Sequence, residues 1–191
     1  MSIALPRRAL LLLLALAGCA RDPSADRQPL APLRYDHLTP LRLNVATVDI
    51  EERFIPSRGD VSALAPTPPV TALRQMAKDR LQAMGNAGRA VFIIRRAALI
   101  QSGGFYDGAL DAALEIYAPD GTRAGFAEAR VARHHSGEGN TRETLYTMTR
   151  LMMDAMNVEL EFQVRRSLRD WLLTPGVTST PVESQELVPP E

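Results

Sequence analysis

The sequence from Tyr106 to Arg133 reads YDGALDAALEIYAPDGTRAGFAEARVAR, and the architecture of the chain can be worked out from it. Apolar and polar side chains alternate up to Tyr117, as they do in a strand with one buried face. The turn signal Pro119-Asp120-Gly121 follows, and the alternation resumes from Thr122 to Arg133. The stretch therefore predicts an antiparallel β-hairpin.

One face of this hairpin carries the apolar and small side chains. On the first strand they are Leu110, Ala112, Leu114 and Ile116. On the second strand they are Gly125, Ala127, Ala129 and Val131. Because the second set is small, we expect a helix to pack closely on this face.

Two further strands are predicted before the hairpin. The apolar run Val91–Ile94 indicates a central strand that continues to Ile100 and breaks at Ser102-Gly103-Gly104. Leu41 to Ile50 alternates but changes phase near Val45 or Ala46. A β-bulge would restore a single buried face there, and the alternative is a strand buried on both faces.

Two helices complete the pattern. The first is predicted to begin with Thr67 as N-cap and Pro68 at the first position, and to end at a left-handed Gly85. Its apolar stripe consists of Val70, Leu73, Ala77, Leu81 and Met84. Arg80 falls off this stripe and is expected to be exposed.

The second helix is predicted from Thr141 to Leu173, with Asn140 and Glu143 resembling a capping box. One apolar stripe comprises Leu145, Met148, Met152, Ala155, Val158 and Phe162. A second, rotated stripe comprises Met156, Leu160, Val164, Leu168 and Trp171. The element order β-α-β-β-β-α predicts an α+β two-layer sandwich, a mainly antiparallel four-stranded sheet covered by two helices.

Glu51 to Pro69 is an irregular, proline-rich loop, and loops of this length are often functional. Its apolar pair Phe54 and Ile55 either lines a groove or pins the loop onto the core. The methionines Met148, Met152 and Met156 offer the same choice, since methionine suits both core packing and adaptable apolar grooves. These five residues are the candidate groove.

The N-terminus has the pattern of a secretory signal: Arg7 and Arg8, then an apolar run, then Leu16-Ala17-Gly18-Cys19. The last four residues resemble the lipobox of bacterial lipoproteins. The resemblance implies removal of residues 1–18 and attachment of diacylglycerol and N-acyl lipid to Cys19. Cys19 is the single cysteine, so it has no disulfide partner within the chain.

The resemblance also implies an address. In enterobacterial lipoproteins, residues other than Asp after the acylated Cys direct the protein to the outer membrane, and here the residue is Ala20. We expect residues 19–40 to be a disordered tether, 41–173 a periplasmic domain and 174–191 a disordered tail. The protein would then lie on the periplasmic face of the outer membrane, with the membrane as one partner through its lipid.

Charge excludes some functions. Loss of Arg7 and Arg8 leaves 20 basic against 22 acidic residues, a formal charge of −2, which gives no drive toward nucleic acid. His134 and His135 are adjacent on a predicted strand and should point to opposite faces, so no metal site is expected. Apart from the lipid, no cofactor is expected.

Size and element order are similar to those of YajG-like and ABC-transport auxiliary lipoproteins. We expect a non-catalytic lipoprotein whose domain binds another envelope component. The alternative is a lipid-handling accessory of an envelope ABC-type transport system, with the candidate groove open to solvent. A hydrolase would require a pocket that gathers His134 or His135 with an acid and a hydroxyl.

Overall fold

The computed structural model describes residues 30–136 and 141–173. The folded unit begins at Pro32. The strands are β1 (Leu41–Leu43), β2 (Thr47–Glu52), β3 (Leu81–Ala83), β4 (Arg89–Ser102), β5 (Phe105–Tyr117) and β6 (Arg123–Ser136). The helices are α1 (Pro69–Arg80) and α2 (Thr141–Ser167), with short 3-10 turns at Ser62–Leu64 and Arg169–Trp171.

The main sheet has the order β2-β4-β5-β6. β4, β5 and β6 pair antiparallel, but β2 pairs parallel to β4, and β1 and β3 form a second, parallel two-stranded sheet. The prediction of an α+β fold with two helices and four main strands is confirmed. The sheet, however, is mixed, because α1 connects β1 with β3 and β2 with β4 and returns the chain in the same direction.

The predicted hairpin is present as β5 and β6. Leu114 lies opposite Ala127, and Leu110, Ala112, Leu114 and Ile116 are all buried. Helix packing is close here, as predicted: a side-chain carbon added at Gly125 would lie 2.5 Å from Cδ2 of Leu168, just beyond α2. A carbon added at Gly108 would lie 2.4 Å from the sulfur of Met152.

The single strand predicted from Leu41 to Ile50 is wrong. The chain leaves β1 after Leu43 and enters β2, in the other sheet, at Thr47. Val45, between the two strands, is fully buried. The phase change in the sequence therefore marks a crossing between two sheets, not a bulge.

Helix α1 ends earlier than its apolar stripe predicted. It stops at Arg80 because Leu81 pairs with Leu41 as the first residue of β3, and Met84 is exposed. Its N-cap is Pro68, with Pro69 at the first position, so Thr67 does not cap it.

Gly85 was predicted as a left-handed helix stop, and that prediction is also wrong. Its φ is not positive. A side-chain carbon at Gly85 would lie 2.6 Å from the carbonyl carbon of Asn44 and 2.7 Å from the nitrogen of Val45. Glycine is required here because two stretches of backbone pass at close range.

Helix α2 ends at Ser167, and Leu172 forms a β-bridge with Leu43 instead of continuing the helix to Leu173. The stripe from Met156 to Leu168 is buried as predicted. The other predicted stripe is only half right: Leu145, Met148 and Met152 are buried, but Val158 is 72% and Phe162 55% exposed. Asn140 lies outside the described residues.

The helices cover one face of the main sheet, and the core lies between the two layers. On the opposite face, Val91 and Ile93 are nevertheless buried. That face carries charged side chains: Arg95 contacts Asp111 at 2.7 Å and Glu128 at 2.5 Å. The aliphatic stems of such long side chains can shield apolar residues from water. None of the helices in the described part of the chain is apolar and long enough to span a bilayer.

Candidate functional site

The loop between β2 and α1 is fixed to β4 at two places. The N–H of Arg53 donates to the carbonyl oxygen of Ile94 at 2.8 Å, and that of Val61 to the carbonyl oxygen of Leu99 at 2.8 Å. Between these attachments the loop bends away from β4 and leaves a depression beside it. The bend is a consequence of the chain's least regular internal segment, which contains Pro56 and Gly59.

Asp60 and Ser62 hold the far side of this depression. The Asp60 carboxylate accepts from the N–H of Ser62 at 2.8 Å. The Ser62 hydroxyl accepts from the N–H of Leu99 at 2.8 Å and donates to the carbonyl oxygen of Ala97 at 3.4 Å. These polar groups are occupied in fixing the loop to β4, so they act as structural supports.

We call the depression the loop groove. It has a volume of about 330 Å³ and is lined by Phe54, Pro56, Asp60, Ser62, Ala63, Pro68, Val70, Thr71 and Ala97. Most of these side chains are apolar, and Ile55 and Leu64 in the same loop are 92% and 64% exposed. The volume is at the low end for ligand pockets, which suits one or two apolar side chains.

The other end of α1 has a polar character. Arg80, only 1% exposed, donates to the carbonyl oxygen of Thr39 at 2.9 Å and lies 2.5 Å from the carboxylate of Glu161. It also donates to the backbone and side-chain oxygens of Asn157 at 3.2 Å. The neighbouring Asp79 accepts from the N–H of Tyr35 at 2.9 Å. We call these six residues the entry clamp, because they fix the chain where it enters the fold.

The entry clamp changes the ionisation of two of the nearby groups. Burial opposes the charged form of Glu161, but hydrogen bonds from Arg80 and Arg165 outweigh it, so the pKa of Glu161 is lowered. Burial, assisted by the Asp154 carboxylate, raises the pKa of Tyr35. Glu161 is therefore charged and Tyr35 neutral at pH 7.

The clamp also extends the fold toward the N-terminus. Tyr35 is buried, and Leu33 and Leu38 pack against the core. The folded part therefore begins before Leu41, at residues that the sequence assigned to the tether. The missed signal was the apolar spacing of these three residues, which the surrounding prolines obscured.

The loop groove and the entry clamp lie at opposite ends of one helix. Pro68, Val70 and Thr71 surround the first turn of α1, whereas Asp79 and Arg80 form its last turn. A helix of 12 residues is about 18 Å long. The two regions are thus separated by the whole length of α1.

A third depression, of about 400 Å³, gathers the residue types that a hydrolase would need. His134, His135, Glu143, Thr144 and Thr147 are among its lining residues. His134 contacts the carboxylate of Asp107 at 2.7 Å, and both side chains are more than half exposed. Among the described residues, no hydrogen bond joins a histidine to a hydroxyl, so no activated nucleophile is formed.

The five residues of the candidate groove do not come together in any described pocket. Phe54 lines the loop groove, while Ile55 projects into solvent. Met148 borders the depression at His134, and Met152 and Met156 are completely buried in the core. Cys19 lies outside the described residues. Within the described residues, no cluster of His, Cys, Asp or Glu could hold a metal ion.

No protein-family model matches this chain, and no curated protein matches it in sequence. Two solved structures are similar in fold. One is protein XCC0632 from Xanthomonas campestris, of family DUF330, at 8% identity and a TM-score of 0.39, covering 72% of this chain and 92% of that one. The other is a minor lipoprotein from Acinetobacter baumannii, at 11% identity and a TM-score of 0.33, covering 70% and 99%. Neither likeness is close enough to carry an inference about function.

Proposed function

We propose that this chain is a lipid-anchored lipoprotein of the cell envelope whose folded domain binds another envelope protein through the loop groove, without catalysis. The observation that carries the proposal is the groove itself, an apolar depression whose polar groups, Asp60 and Ser62, are engaged in holding it open. Such a site offers shape and apolar surface but no free reactive group.

The lipobox-like Leu16-Ala17-Gly18-Cys19 supports the anchor. With diacylglycerol and an N-acyl chain on Cys19, more than one acyl chain would enter the bilayer, which is sufficient for stable attachment. Ala20 supports the periplasmic face of the outer membrane as the address. The anchor would restrict the domain to partners within reach of that surface.

The occupant that fits the groove best is an apolar segment of a protein partner. A cavity of about 330 Å³ accommodates one or two side chains, and the exposed Ile55 and Leu64 extend the apolar surface beyond it. Apolar anchors in a pocket, surrounded by less critical contacts, are the usual source of affinity in protein interfaces.

The alternative is a lipid-handling accessory of an envelope ABC-type transport system. Its predicted groove was to include the methionines of α2, but Met152 and Met156 are filled into the core. The loop groove is then the only one of the described pockets that retains a residue of the predicted loop, Phe54. A lipid ligand would have to bind there.

Photo-crosslinking tests the binding site. A benzophenone amino acid replaces Thr71, which lines the groove, or Lys78, which is exposed near the other end of the same helix. We expect a discrete protein adduct in the native envelope from position 71 and none from position 78. The adduct should disappear when Ala63→Arg fills the rim.

Equal labelling from both positions, or an adduct that survives Ala63→Arg, would contradict the groove as the binding site. An adduct of lipid mass from position 71 would favour the transport alternative. Intact-mass analysis of the membrane fraction tests the anchor separately. The mature chain should start at Cys19 and carry acyl mass, and this mass should be lost in Cys19→Ser.

A further inference from the structure

Helix α2 presents two large apolar side chains to solvent. Val158 is 72% and Phe162 55% exposed, and they lie one turn apart on the same side of the helix. The adjacent Ala155 is exposed as well. In the described part of the chain, no other element covers this strip.

The strip adjoins the place where the chain enters the fold. Val158 lines a depression of about 410 Å³ together with Pro32, Leu33 and Leu38 from the N-terminal segment. We call Pro32, Leu33, Leu38, Val158 and Phe162 the entry face. The entry clamp lies next to it, because Asn157 and Glu161 alternate with Val158 and Phe162 along α2.

The length of chain before Pro32 indicates what this face meets. Twelve residues, Ala20 to Ala31, separate Cys19 from Pro32. For a tether of the composition predicted above, the typical reach is about 20 Å. A domain of this size has a radius of gyration of about 15 Å, so the tether is short relative to the domain's diameter. An acylated Cys19 would therefore keep the entry face close to the bilayer.

Charge does not oppose this approach. Arg150 pairs with Asp154 at 3.4 Å and Arg165 with Glu161 at 2.9 Å, one pair on each side of Val158 along the helix. The rim of the strip is thus locally neutral, and its attraction to a bilayer would come from the apolar side chains. Binding of this kind depends little on salt.

We propose that the entry face docks on the phospholipid surface, with Val158 and Phe162 entering the interfacial layer. The inference rests on the proposed lipid anchor. Because α1 separates the entry clamp from the loop groove, this docking would direct the groove away from the membrane, toward partners in the periplasm. The entry face is thus a device for orientation, and the acyl chains supply the attachment.

Tryptophan quenching in vesicles tests the proposal. The full-length acylated protein carries Trp171→Phe, which removes the single tryptophan, together with Phe162→Trp, Val158→Trp or Ile55→Trp. Each variant is reconstituted into vesicles of phosphatidylethanolamine and phosphatidylglycerol with brominated acyl chains. Amphipathic surfaces insert roughly 5–10 Å into the interface, so we expect several-fold stronger quenching for Phe162→Trp and Val158→Trp than for Ile55→Trp.

Flotation of the same vesicles separates the two levels of the proposal. If the variants do not float with the vesicles, the anchor fails, and the proposed function fails with it. If they float but Phe162→Trp and Val158→Trp are quenched no more than Ile55→Trp, only the orientation is overturned. Shielding of position 162 in native envelopes without quenching in protein-free vesicles would assign the face to a protein partner and likewise overturn the membrane assignment.

Discussion

The two ends of α1 solve different problems with different chemistry. At its C-terminal end, the buried Arg80 gathers oxygen atoms from Thr39, Asn157 and Glu161, which are distant from one another in sequence. At its N-terminal end, Val70 and Thr71 border a depression that is mainly apolar and open. One end is closed by polar contacts that fix the chain, and the other is left free to bind.

The comparison teaches that polarity and function are not paired in this fold as a sequence reader would expect. The charged residue of α1 that is most deeply buried serves structure, while the apolar residues near its first turn are the ones available to a partner. Predictions about the two ends should therefore differ in kind. Changes at the clamp should reduce stability, and changes at the groove should affect binding more than stability.

The largest effect is expected from Arg80→Ala. Removing one partner of a buried ion pair leaves the other charge uncompensated, which costs about 3–5 kcal/mol. Because Glu161 is 33% exposed, we expect a loss of about 3 kcal/mol in the free energy of unfolding, at the lower end of that range. Urea unfolding followed by circular dichroism measures it.

Arg165→Ala is the matched control, because Arg165 contacts the same carboxylate from the exposed side of α2. An exposed i,i+4 pair is worth only about 0.3–0.5 kcal/mol. If the two variants lose similar stability, the clamp is no stronger than a surface pair, and the contrast between the two ends of α1 disappears.

Gly85→Ala should cost about 2 kcal/mol, because the new carbon would overlap the backbone of Asn44 and Val45 and force it to move. This change acts where the chain crosses between the two sheets, close to the clamp end of α1. Thermal unfolding is a sufficient measurement. The exposed neighbour Asn86 supplies the control, since Asn86→Ala should stay within about 0.5 kcal/mol of the wild type.

The clamp should also make stability depend on pH. Because the folded-state pKa of Glu161 lies below its ordinary value of 4.5, its charge stabilises the fold above pH 4.5. This contribution is lost as the pH falls through the folded-state pKa. Glu161→Gln should therefore be less stable than the wild type at pH 7, and the difference should shrink on acidification below pH 4.5.

Denaturant unfolding at a series of pH values measures this difference. Repeating the comparison in the Arg80→Ala background gives a thermodynamic cycle. A pH-dependent difference of unchanged size in that background would mean that Arg80 does not lower the pKa of Glu161.

The smallest effect on stability is expected at the groove end. Phe54 is half-buried against the core, and Phe54→Ala should cost about 1 kcal/mol by the loss of buried apolar area. Ile55, its neighbour, is 92% exposed, so Ile55→Ala should cost less than about 0.5 kcal/mol. Equal losses would show that the loop is not packed as described, and the groove would lose its wall.

The hairpin of β5 and β6 could be predicted from sequence because its signals are local: alternation, a turn at Gly121 and alternation again. The buried half of α2 was predictable for the same reason. Phe54 was identified as a candidate because an apolar residue in an irregular loop is unusual. In each case, the information lies within a few residues of the feature.

The rest depends on partners that lie far away in sequence. Arg80 could not be recognised as buried, because the oxygens that stabilise its charge come from Thr39, Asn157 and Glu161. α1 stops at Arg80 because Leu81 finds a strand partner in Leu41, a contact that no local period encodes. Val158 and Phe162 follow a helical period, but a period cannot tell which of two apolar stripes meets the sheet.

The sequence separation of the clamp contacts also sets an order in time. Arg80 lies 77 residues from Asn157 and 81 from Glu161, so its shell cannot form until α2, the last long element, has been synthesised. Contacts that close such long loops form late, after the local hairpins. In a chain that crosses a membrane N-terminus first, Tyr35 and Thr39 would stay undocked until nearly all of it has been exported. An enzyme that acts on Cys19 would therefore meet an unfolded segment, and closure of the clamp would be among the last steps of maturation.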